Sequence, residues 1–461
     1  MRLHFARITL EVLSPLSIGS GEVGVTDVML VRDAVGLPMI AGASLQGLIR
    51  ALADREGWQD VMDLLGKTPD KSRTERSERG GIAGRIRFSD ARIHDSTGIS
   101  ITGADIPSDS LLDALCVESP LLRDHVSLDH RGAGHDGKKF DRSAVPRGAH
   151  FSLELSFWEK VETDGEAFRK LLQLFHHPLF RPGGARARGY GKVSATVSTR
   201  AWNAPFDAVL SDNIADFRQK PSSDHSTMML VESPKAFCQL KAKTLNLTPQ
   251  GYWRLGHDGA RMRTNIHQNQ SANDRQEDTD AAFMREPRIE NGALAKSPDF
   301  ILPGSSLRGA LAHRTLFHWN CMKGHFAESA KSDEEFKCFS KMPLELEALF
   351  GKAKTDKDGH RSALIVDDAI FTSDNTMALD HNSIDRFSGG VRTHVLFSEE
   401  LAKGTVKDVG ILIDLKHFEA TLSDAAERDI VLTAFDAALN DLVNERLALG
   451  AKSSGWFREA A

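Results

Sequence analysis

The sequence predicts an α+β protein built from two tandem units. The chain has 461 residues, which is too long for one compact core. A stretch covering residues 25–50 returns in altered form at residues 279–314. Period-two alternation of apolar side chains predicts a strand before each copy, and an apolar stripe at helical spacing predicts a helix within it. One α+β unit has therefore been used twice.

The repeat is carried by dipeptides and glycines at matching positions. Thr26-Asp27 matches Thr279-Asp280, and Arg32-Asp33 matches Arg285-Glu286. At the helix start, Gly42, Ser44, Leu45 and Gly47 match Gly304, Ser306, Leu307 and Gly309. The first unit is predicted to span residues 1–200, followed by a linker at 201–235 and a second unit at 236–461. A polar insertion at about 257–278 interrupts the second unit.

The first strand is predicted from the alternation of Ile8, Leu10 and Val12 with polar residues, and Ser14-Pro15 ends it. Ser44 is then predicted to cap a helix that runs on through Leu65, and Ser306 to cap its counterpart. A helix start of this kind suits a phosphate, although a capped core helix is the alternative.

Two later segments are rich in glycine and cations. Residues 125–147 and 381–400 share the pattern Ser-Leu/Ile-Asp and predict hairpins, which either bind RNA or are ordinary exposed hairpins. The first unit ends in a loop that combines glycines with Arg186, Arg188, Tyr190 and Lys192, a composition suited to phosphates and a stacked base. The second unit ends in a poorer version, with Lys452, Trp456 and Arg458.

Composition limits the function classes. The net charge of −6 restricts any nucleic-acid surface to a local patch. No run of about 18 apolar residues predicts a membrane span, and four scattered cysteines fit a reducing compartment, so we expect a cytoplasmic protein without a membrane partner. Cys321 and Cys338, near His318 and His325, are either free thiols or part of a structural zinc site.

Four motifs occur together: Ile18–Glu22 (IGSGE), the PGSSLRGAL helix start, Ile384–Gly390 (IDRFSGG) and the RARGYGKV loop. Together they resemble the RAMP superfamily of CRISPR-associated proteins. In particular, the chain is similar to type III effector backbone subunits in a form that fuses two units. The resemblance covers nearly the whole chain apart from the linker and insertions.

The resemblance implies a ferredoxin-like, RNA-recognition-type core in each unit, with a β-hairpin thumb. It implies a subunit that binds CRISPR RNA, cleaves complementary target RNA and contacts other effector subunits, including neighbouring RAMP subunits. By motif, the cutting residues are Asp27 and Asp280, with Asp278 as an alternative to the latter. A carboxylate can orient a divalent cation, Mg²⁺ or Mn²⁺, or accept the 2′-hydroxyl proton. No set of resident metal ligands is assigned.

Two other functions stay open, a non-cleaving scaffold of the same complex and an endoribonuclease that processes CRISPR RNA. RNA-binding side chains are expected at the helix starts, in the hairpins and in the terminal loops. They are Ser44, Gly47, Arg50, Ser306, Arg308, Arg131, Lys138, Lys139, Arg186, Arg188, Tyr190, Lys192, Arg386, Phe387, Lys452 and Arg458.

Overall fold

The protein is described by a computed structural model. It covers residues 2–460 apart from 22–23, 25, 67–80, 104, 129–133, 204–219, 235, 238, 259–278, 280, 333–338, 340, 353–358 and 393–395, with backbone alone at 135, 257, 258 and 452. We call residues 2–203 the first unit and residues 239–460 the second unit.

The first unit has four helices and two 3-10 turns among its described residues. Its elements are β1 (Arg2–Val12), β2 (Met39–Ile40), α1 (Gly42–Glu56), α2 (Gln59–Leu65), β3 (Ile86–Phe88), β4 (Ala91–Ile93), α3 (Ser110–Cys116), β5 (Leu121–Leu128), β6 (Gly134–Ala144), β7 (His150–Trp158), α4 (Asp164–Gln173) and β8 (Val193–Asn203), with 3-10 turns at Leu174–His176 and Arg186–Arg188.

A short strand, β9 (Met229–Leu230), precedes the second unit. The elements of that unit are β10 (Leu240–Pro249), β11 (Gly256–Asp258), β12 (Ala281–Phe283), β13 (Arg285–Glu286), β14 (Ile289–Glu290), β15 (Ala293–Leu294), β16 (Asp299–Leu302), α5 (Gly304–Met322), α6 (Leu344–Phe350), β17 (Leu364–Val366), β18 (Ala369–His381), β19 (Phe397–Asp414), α7 (Leu415–Thr421), α8 (Ala425–Val443), β20 (Asn444–Leu449) and β21 (Gly455–Glu459), with 3-10 turns at Ala327–Ser329 and Ala451–Ser453.

Each unit is a mixed α+β fold around one sheet, as the repeat predicts. The first sheet has the order β2-β4-β7-β1-β8-β9, with β3 also paired to β7. The second runs β13-β16-β18-β19-β10-β21-β20. In the first sheet β1 lies in the middle, between β7 and β8. In the second sheet β10 takes the same place, between β19 and β21. All of these neighbours pair antiparallel.

The alternation in β1 separates two faces of the first sheet. Ala6, Ile8, Leu10 and Val12 are fully buried and belong to the core under the helices. The opposite face is covered by residues 220–231, which we call the strap.

The strap lies in the segment predicted as a linker, and it is fixed to the sheet by polar contacts. Arg7, which is 1% exposed, donates from Nη1 to the main-chain oxygen of Asp224 at 3.0 Å. The His225 ring lies between the hydroxyls of Thr9 (2.8 Å) and Ser198 (2.7 Å). The strap then continues into β9, which extends the sheet beside β8.

Each unit's long helix begins at a glycine whose amide is held by a carboxylate from a distant loop. The Gly42 amide donates to Asp90 Oδ1 at 2.9 Å, and the Gly304 amide donates to Asp368 Oδ1 at 2.7 Å. A Cβ at either position would collide with carbonyl oxygens of the neighbouring strand. Glycine is therefore needed here for close packing of the helix against the sheet.

The predicted serine caps are wrong. The N-cap residues are Ala41 and Pro303, neither of which gives a side-chain cap, while Ser44 and Ser306 are exposed within the first turn. The predicted long first helix is also interrupted, because Gly57 takes a left-handed conformation (φ 73°) and ends α1 before α2 begins.

The two units share a buried boundary. Ile365 and Leu412 of the second unit pack into the core of the first. Arg55 of α1 donates to Asp414 at 2.8 Å, and both side chains are almost fully buried. Within the described part of the chain, no helix is long and apolar enough to cross a membrane.

Candidate nucleic-acid interface

Asp27 lies in an exposed loop that pairs with strand β6 of the first hairpin. Its amide donates to Asp141 Oδ1 at 2.7 Å, and the Asp141 amide donates back to Asp27 Oδ2 at 2.9 Å. One position further, the Ser143 amide donates to the Val28 carbonyl at 2.9 Å. The loop thus continues the backbone pairing of the hairpin, and the two carboxylates are held side by side.

This pair of carboxylates could bind a divalent cation that retains several of its water ligands. Mg²⁺ commonly binds through one or two carboxylates together with substrate phosphates. Among the described residues, no group of three or more His, Cys, Asp or Glu could form a complete protein cage for a metal. Asp27 and Asp141 each use one oxygen for the reciprocal hydrogen bonds, which leaves the second oxygen of each outside this exchange.

The second predicted cutting residue, Asp280, lies outside the described residues, as does Asp278. Asp33 and Glu286, two acids at matching positions of the repeat near these sites, are both bound by other groups of the protein. Asp33 closes a turn by accepting from the amides of Val35 and Leu37, and Glu286 is buried against Arg123. Neither carboxylate is available to a substrate.

Tyr190 does not stack on a base, contrary to the prediction, because its side chain is 0% exposed. Its hydroxyl lies 2.8 Å from His125 Nε2, and the guanidinium of Arg123 lies over its ring at 4.8 Å. Burial raises the pKa of Tyr190 above its ordinary value. Burial and the neighbouring Arg123 and other arginines lower the pKa of His125 to about 3. The Tyr190 ring therefore packs inside the protein, at the base of the hairpin β5–β6.

Gly189, beside Tyr190, also has a different role from the predicted one. Gly189 adopts a left-handed conformation (φ 96°), and a Cβ there would collide with Asp368 of the second unit. The close approach is thus made to the other unit rather than to a phosphate. Lys192 pairs with Asp367 at 2.9 Å, and Arg181 pairs with the same carboxylate at 2.5 Å.

Arg186 and Arg188 of this loop remain exposed. Partial burial and the nearby Arg361 and Arg181 lower the pKa of Arg186. Arg188 lies near Arg308 of α5, and burial together with Arg188 lowers the pKa of Arg308 to about 10. Guanidinium groups from both units thus gather around the loop, which is an environment that favours an anion.

The predicted helix-start residues divide into two classes. Ser44 and Gly47 are exposed, and Ser306 is exposed on the matching helix. The two arginines act within the fold: Arg50 donates to the Gly66 carbonyl at 2.8 Å, and Arg308 donates to the Phe350 carbonyl. Gly66 and Phe350 lie at the C-terminal ends of α2 and α6, so both guanidiniums donate to carbonyls that have no partner within the helix.

The hairpins expose cations and, in the second unit, an aromatic ring. Lys138 and Lys139 are exposed on β6, while Arg131 lies outside the described residues. Between β18 and β19 the tip carries exposed Arg386 and a fully exposed Phe387. Asp385 shapes this tip, since its Oδ1 accepts from the amides of Phe387 and Ser388, both at 2.9 Å.

The second terminal loop matches the first only in part. Arg458 and Trp456 are exposed on β21, whereas the equivalent Tyr190 is buried. Lys452 is described by its backbone alone, in a 3-10 turn. Cys321 is an exposed free thiol, and Cys338 lies outside the described residues.

Two residues of the site were missed by sequence reasoning. Asp141 and Arg123 lie on opposite strands of one hairpin, and the first contacts Asp27 while the second contacts the second unit. The basic, glycine-bearing composition of this segment located the hairpin. It carried no signal for which of its charged residues face inward.

Comparison with known proteins agrees with a duplicated chain. The sequence model described as RAMP superfamily matches residues 9–194 and 291–458. The chain is also 27% identical over 236 residues to a protein described as "CRISPR system Cms endoribonuclease Csm3" from Mycobacterium tuberculosis (strain ATCC 25618 / H37Rv). That alignment takes 97% of the relative and 46% of this chain. The relative thus has the length of about one unit.

Proposed function

The chain belongs to the RAMP superfamily, as a tandem two-unit member, and we propose that it is a backbone subunit of a type III CRISPR effector complex. In this role it binds CRISPR RNA and cleaves complementary target RNA, alongside other subunits of the complex. The relative described as an endoribonuclease supports this proposal.

Strand order supports a ferredoxin-like core in each unit. The core strands follow the order β8-β1-β7-β4 in the first unit and β21-β10-β19-β18 in the second. A β-α-β-β-α-β chain in a ferredoxin-like fold places its first and third strands in the centre, as here. The hairpins β5–β6 and β18–β19 are the proposed thumbs.

The observation that carries the cleavage proposal is the exposed carboxylate of Asp27, fixed beside Asp141 at the root of a hairpin. At this position Asp27 accepts the proton of a target 2′-hydroxyl while the 2′-oxygen attacks the adjacent phosphorus in line. The P–O5′ bond breaks, which gives a 2′,3′-cyclic phosphate and a 5′-hydroxyl that takes its proton from water. Asp141 keeps the loop in register with the hairpin. A divalent cation held by the free oxygens of the two carboxylates would neutralise charge on the phosphate.

The guide strand is proposed to follow the cations of the first terminal loop. Arg186 and Arg188 are exposed and crowded by other guanidiniums. Lys192 contributes less than the sequence suggested, because Asp367 already neutralises it. Lys138, Lys139 and Arg386 extend the basic surface onto the two hairpins.

The test is cleavage of labelled target RNA by the assembled complex. We expect Asp27→Ala to lower the rate at one cut by roughly 10²–10⁴-fold, because a positioned acid or base contributes about that factor. Asp280→Ala should remove a different cut. Guide binding should stay unchanged, since neither carboxylate attracts phosphate, and a chelator should abolish both cuts if a divalent cation takes part.

Asp105→Ala is the control, because it removes an exposed loop carboxylate ahead of α3. A product ladder that is unchanged in both the Asp27 and Asp280 variants would favour the scaffold function. The scaffold has one observation in its favour, since the reciprocal hydrogen bonds of Asp27 and Asp141 also serve a purely structural turn. Cuts in the CRISPR RNA itself would instead indicate the processing enzyme.

A further inference from the structure

We propose that the hairpin β5–β6 positions the Asp27 loop, and that the second unit holds this hairpin in place through Arg123. Cutting by the first unit would then depend on a contact made by the second. The proposal rests on the proposed function in assigning a cut to Asp27. Its structural half concerns the protein alone and is tested without RNA.

The loop is attached to the hairpin by hydrogen bonds along its backbone. Asp27 and Asp141 exchange amide-to-carboxylate hydrogen bonds of 2.7 and 2.9 Å, and the Ser143 amide reaches the Val28 carbonyl at 2.9 Å. Val28 also forms a parallel bridge with Arg142. The direction of the Asp27 carboxylate is therefore set by the position of β6.

The same part of the hairpin carries the contact with the second unit. On β5, Arg123 stands directly across from Arg142, and its neighbour Asp124 stands across from Asp141. The Arg123 side chain is 1% exposed and lies over the Tyr190 ring. A displacement of Arg123 would thus move the two residues of β6 that pair with the loop.

Arg123 is held by two carboxylates of the second unit. Its Nε donates to Glu286 at 2.6 Å, and its Nη2 donates to Asp368 at 2.8 Å. Asp368 is itself fixed, because it also accepts from the Gly304 amide at the start of α5. Burial disfavours the charged guanidinium, yet Asp368 and Glu286 outweigh it and hold the pKa of Arg123 above its ordinary value.

The repeat shows that this contact is specific to the junction between the units. The first unit has its own version of the acidic pair, Asp33 and Asp90, which match Glu286 and Asp368. There, Arg92 of the same unit binds the carboxylates, at 2.9 and 3.6 Å. In the second unit the corresponding arginine comes from the hairpin of the first. A contact within one unit has become a contact between two.

The first experiment measures amide hydrogen exchange of the full chain without RNA. Arg123→Met and Asp141→Ala should each speed exchange at the Asp27 and Ser143 amides by about tenfold or more, because these local contacts set the opening equilibrium. Arg55→Met is the matched control, since it removes another buried arginine between the units, bound to Asp414. It should leave those amides unchanged.

Arg123→Met leaves two buried carboxylates unpaired, so a second variant guards against general unfolding. Arg123→Met combined with Glu286→Gln and Asp368→Asn removes those charges, and the asparagine still accepts from Gly304. Exchange at Asp27 and Ser143 should again rise in this triple variant. Unchanged exchange at both amides in the triple variant would overturn the proposal.

The second experiment measures cleavage in the assembled complex. The triple variant and Asp141→Ala should slow the cut assigned to Asp27 by roughly 10- to 100-fold, since small misplacements of a catalytic group cost about that much. Other cuts in the same ladder should persist. Asp141→Asn should leave hydrogen exchange at the Asp27 and Ser143 amides unchanged, because its amide oxygen still accepts from the Asp27 amide; exchange as fast as in Asp141→Ala would overturn the positioning role.

The two proposals fail in distinguishable ways. If Asp27→Ala leaves the ladder unchanged, the cleavage function is wrong, while the exchange results still decide whether the second unit holds the loop. If Asp27→Ala removes its cut but the triple variant cuts normally, the cleavage function stands and the dependence between units is refuted. Equal slowing of every cut in the triple variant would also refute it.

Discussion

Tyr190 illustrates how a side chain with the right chemistry for RNA can be used inside the protein. The sequence places it among arginines and glycines, which is also the composition of a base-stacking loop. In the fold it is fully buried, with Leu121 and Ala144 packed around it at the root of β5 and β6. Its ring therefore supports the hairpin.

We expect Tyr190→Phe to destabilise the protein by about 1–3 kcal/mol and to leave RNA affinity unchanged. The substitution removes the hydroxyl and leaves the Nε2 atom of buried His125 without its partner at 2.8 Å. Denaturant unfolding and filter binding on the same sample check both statements. A loss of RNA affinity at unchanged stability would restore the stacking role.

Sequence reasoning placed Asp27 in a loop but did not identify the residues that contact it. Asp27 was singled out by the RAMP resemblance and the duplicated Thr-Asp dipeptide; it lies in an exposed loop, and its role in cutting stays a prediction. Asp141 was not recognised, because its contact with Asp27 spans 114 positions of the chain. A short sequence pattern gives no information about contacts between residues that are far apart in the chain. The same limit applies to Arg123, whose partners belong to the other unit.

The hairpin between β18 and β19 exposes apolar side chains at its tip. Ile384, Phe387 and Val391 are 60%, 104% and 61% exposed, and an isolated bridge joins Ile384 to Val391. Exposed apolar groups in a segment of otherwise polar residues point to a partner that covers them. In the proposed function that partner is a base of the guide and target duplex.

Phe387→Ala should weaken binding of target RNA by about 1–3 kcal/mol if the ring stacks on a base. Val391→Ala, which alters a similarly exposed apolar residue of the same hairpin, should weaken binding less, because valine has no ring to stack on a base. Deletion of residues 387–390 should reduce cutting more than guide binding. Cleavage assays and guide titrations would show this, and normal cutting at every position after the deletion would remove the hairpin from the mechanism.

Elements with a strong period were predictable, and their ends were not. The alternation in β1 and the stripe of α1 both correspond to real elements. The starts of α1 and α5 were misplaced because each helix begins earlier, at Gly42 or Gly304, whose amide is held by a carboxylate from a later loop, Asp90 or Asp368. Competition from distant residues is invisible in a local sequence window.

At the scale of the whole molecule, buried histidines make stability depend on pH. Burial and neighbouring His150 lower the pKa of His94 to about 4, and burial and nearby arginines lower that of His125 to about 3. In the unfolded chain a histidine titrates near 6.5. As pH falls below about 6.5, the unfolded state binds protons that the folded state does not, so stability decreases.

We expect His94 to account for about 3 kcal/mol of lost stability between pH 6.5 and 4. Asp368 acts in the opposite sense, because burial raises its pKa to about 6. Comparing wild type with His94→Gln therefore isolates the histidine. Unfolding free energies measured across this range should fall less steeply in the variant, and parallel curves would contradict the assignment.

The strap has a consequence for any attempt to separate the two halves. A fragment that ended near residue 203, where the repeat unit closes, would lose the peptide carbonyl that binds Arg7 and the ring that joins Thr9 to Ser198. A fragment that began after the strap would expose Ile365 and Leu412, which pack in the other half. The two halves derive from one repeated unit, but the present protein cannot be divided at the boundary between them without losing these contacts.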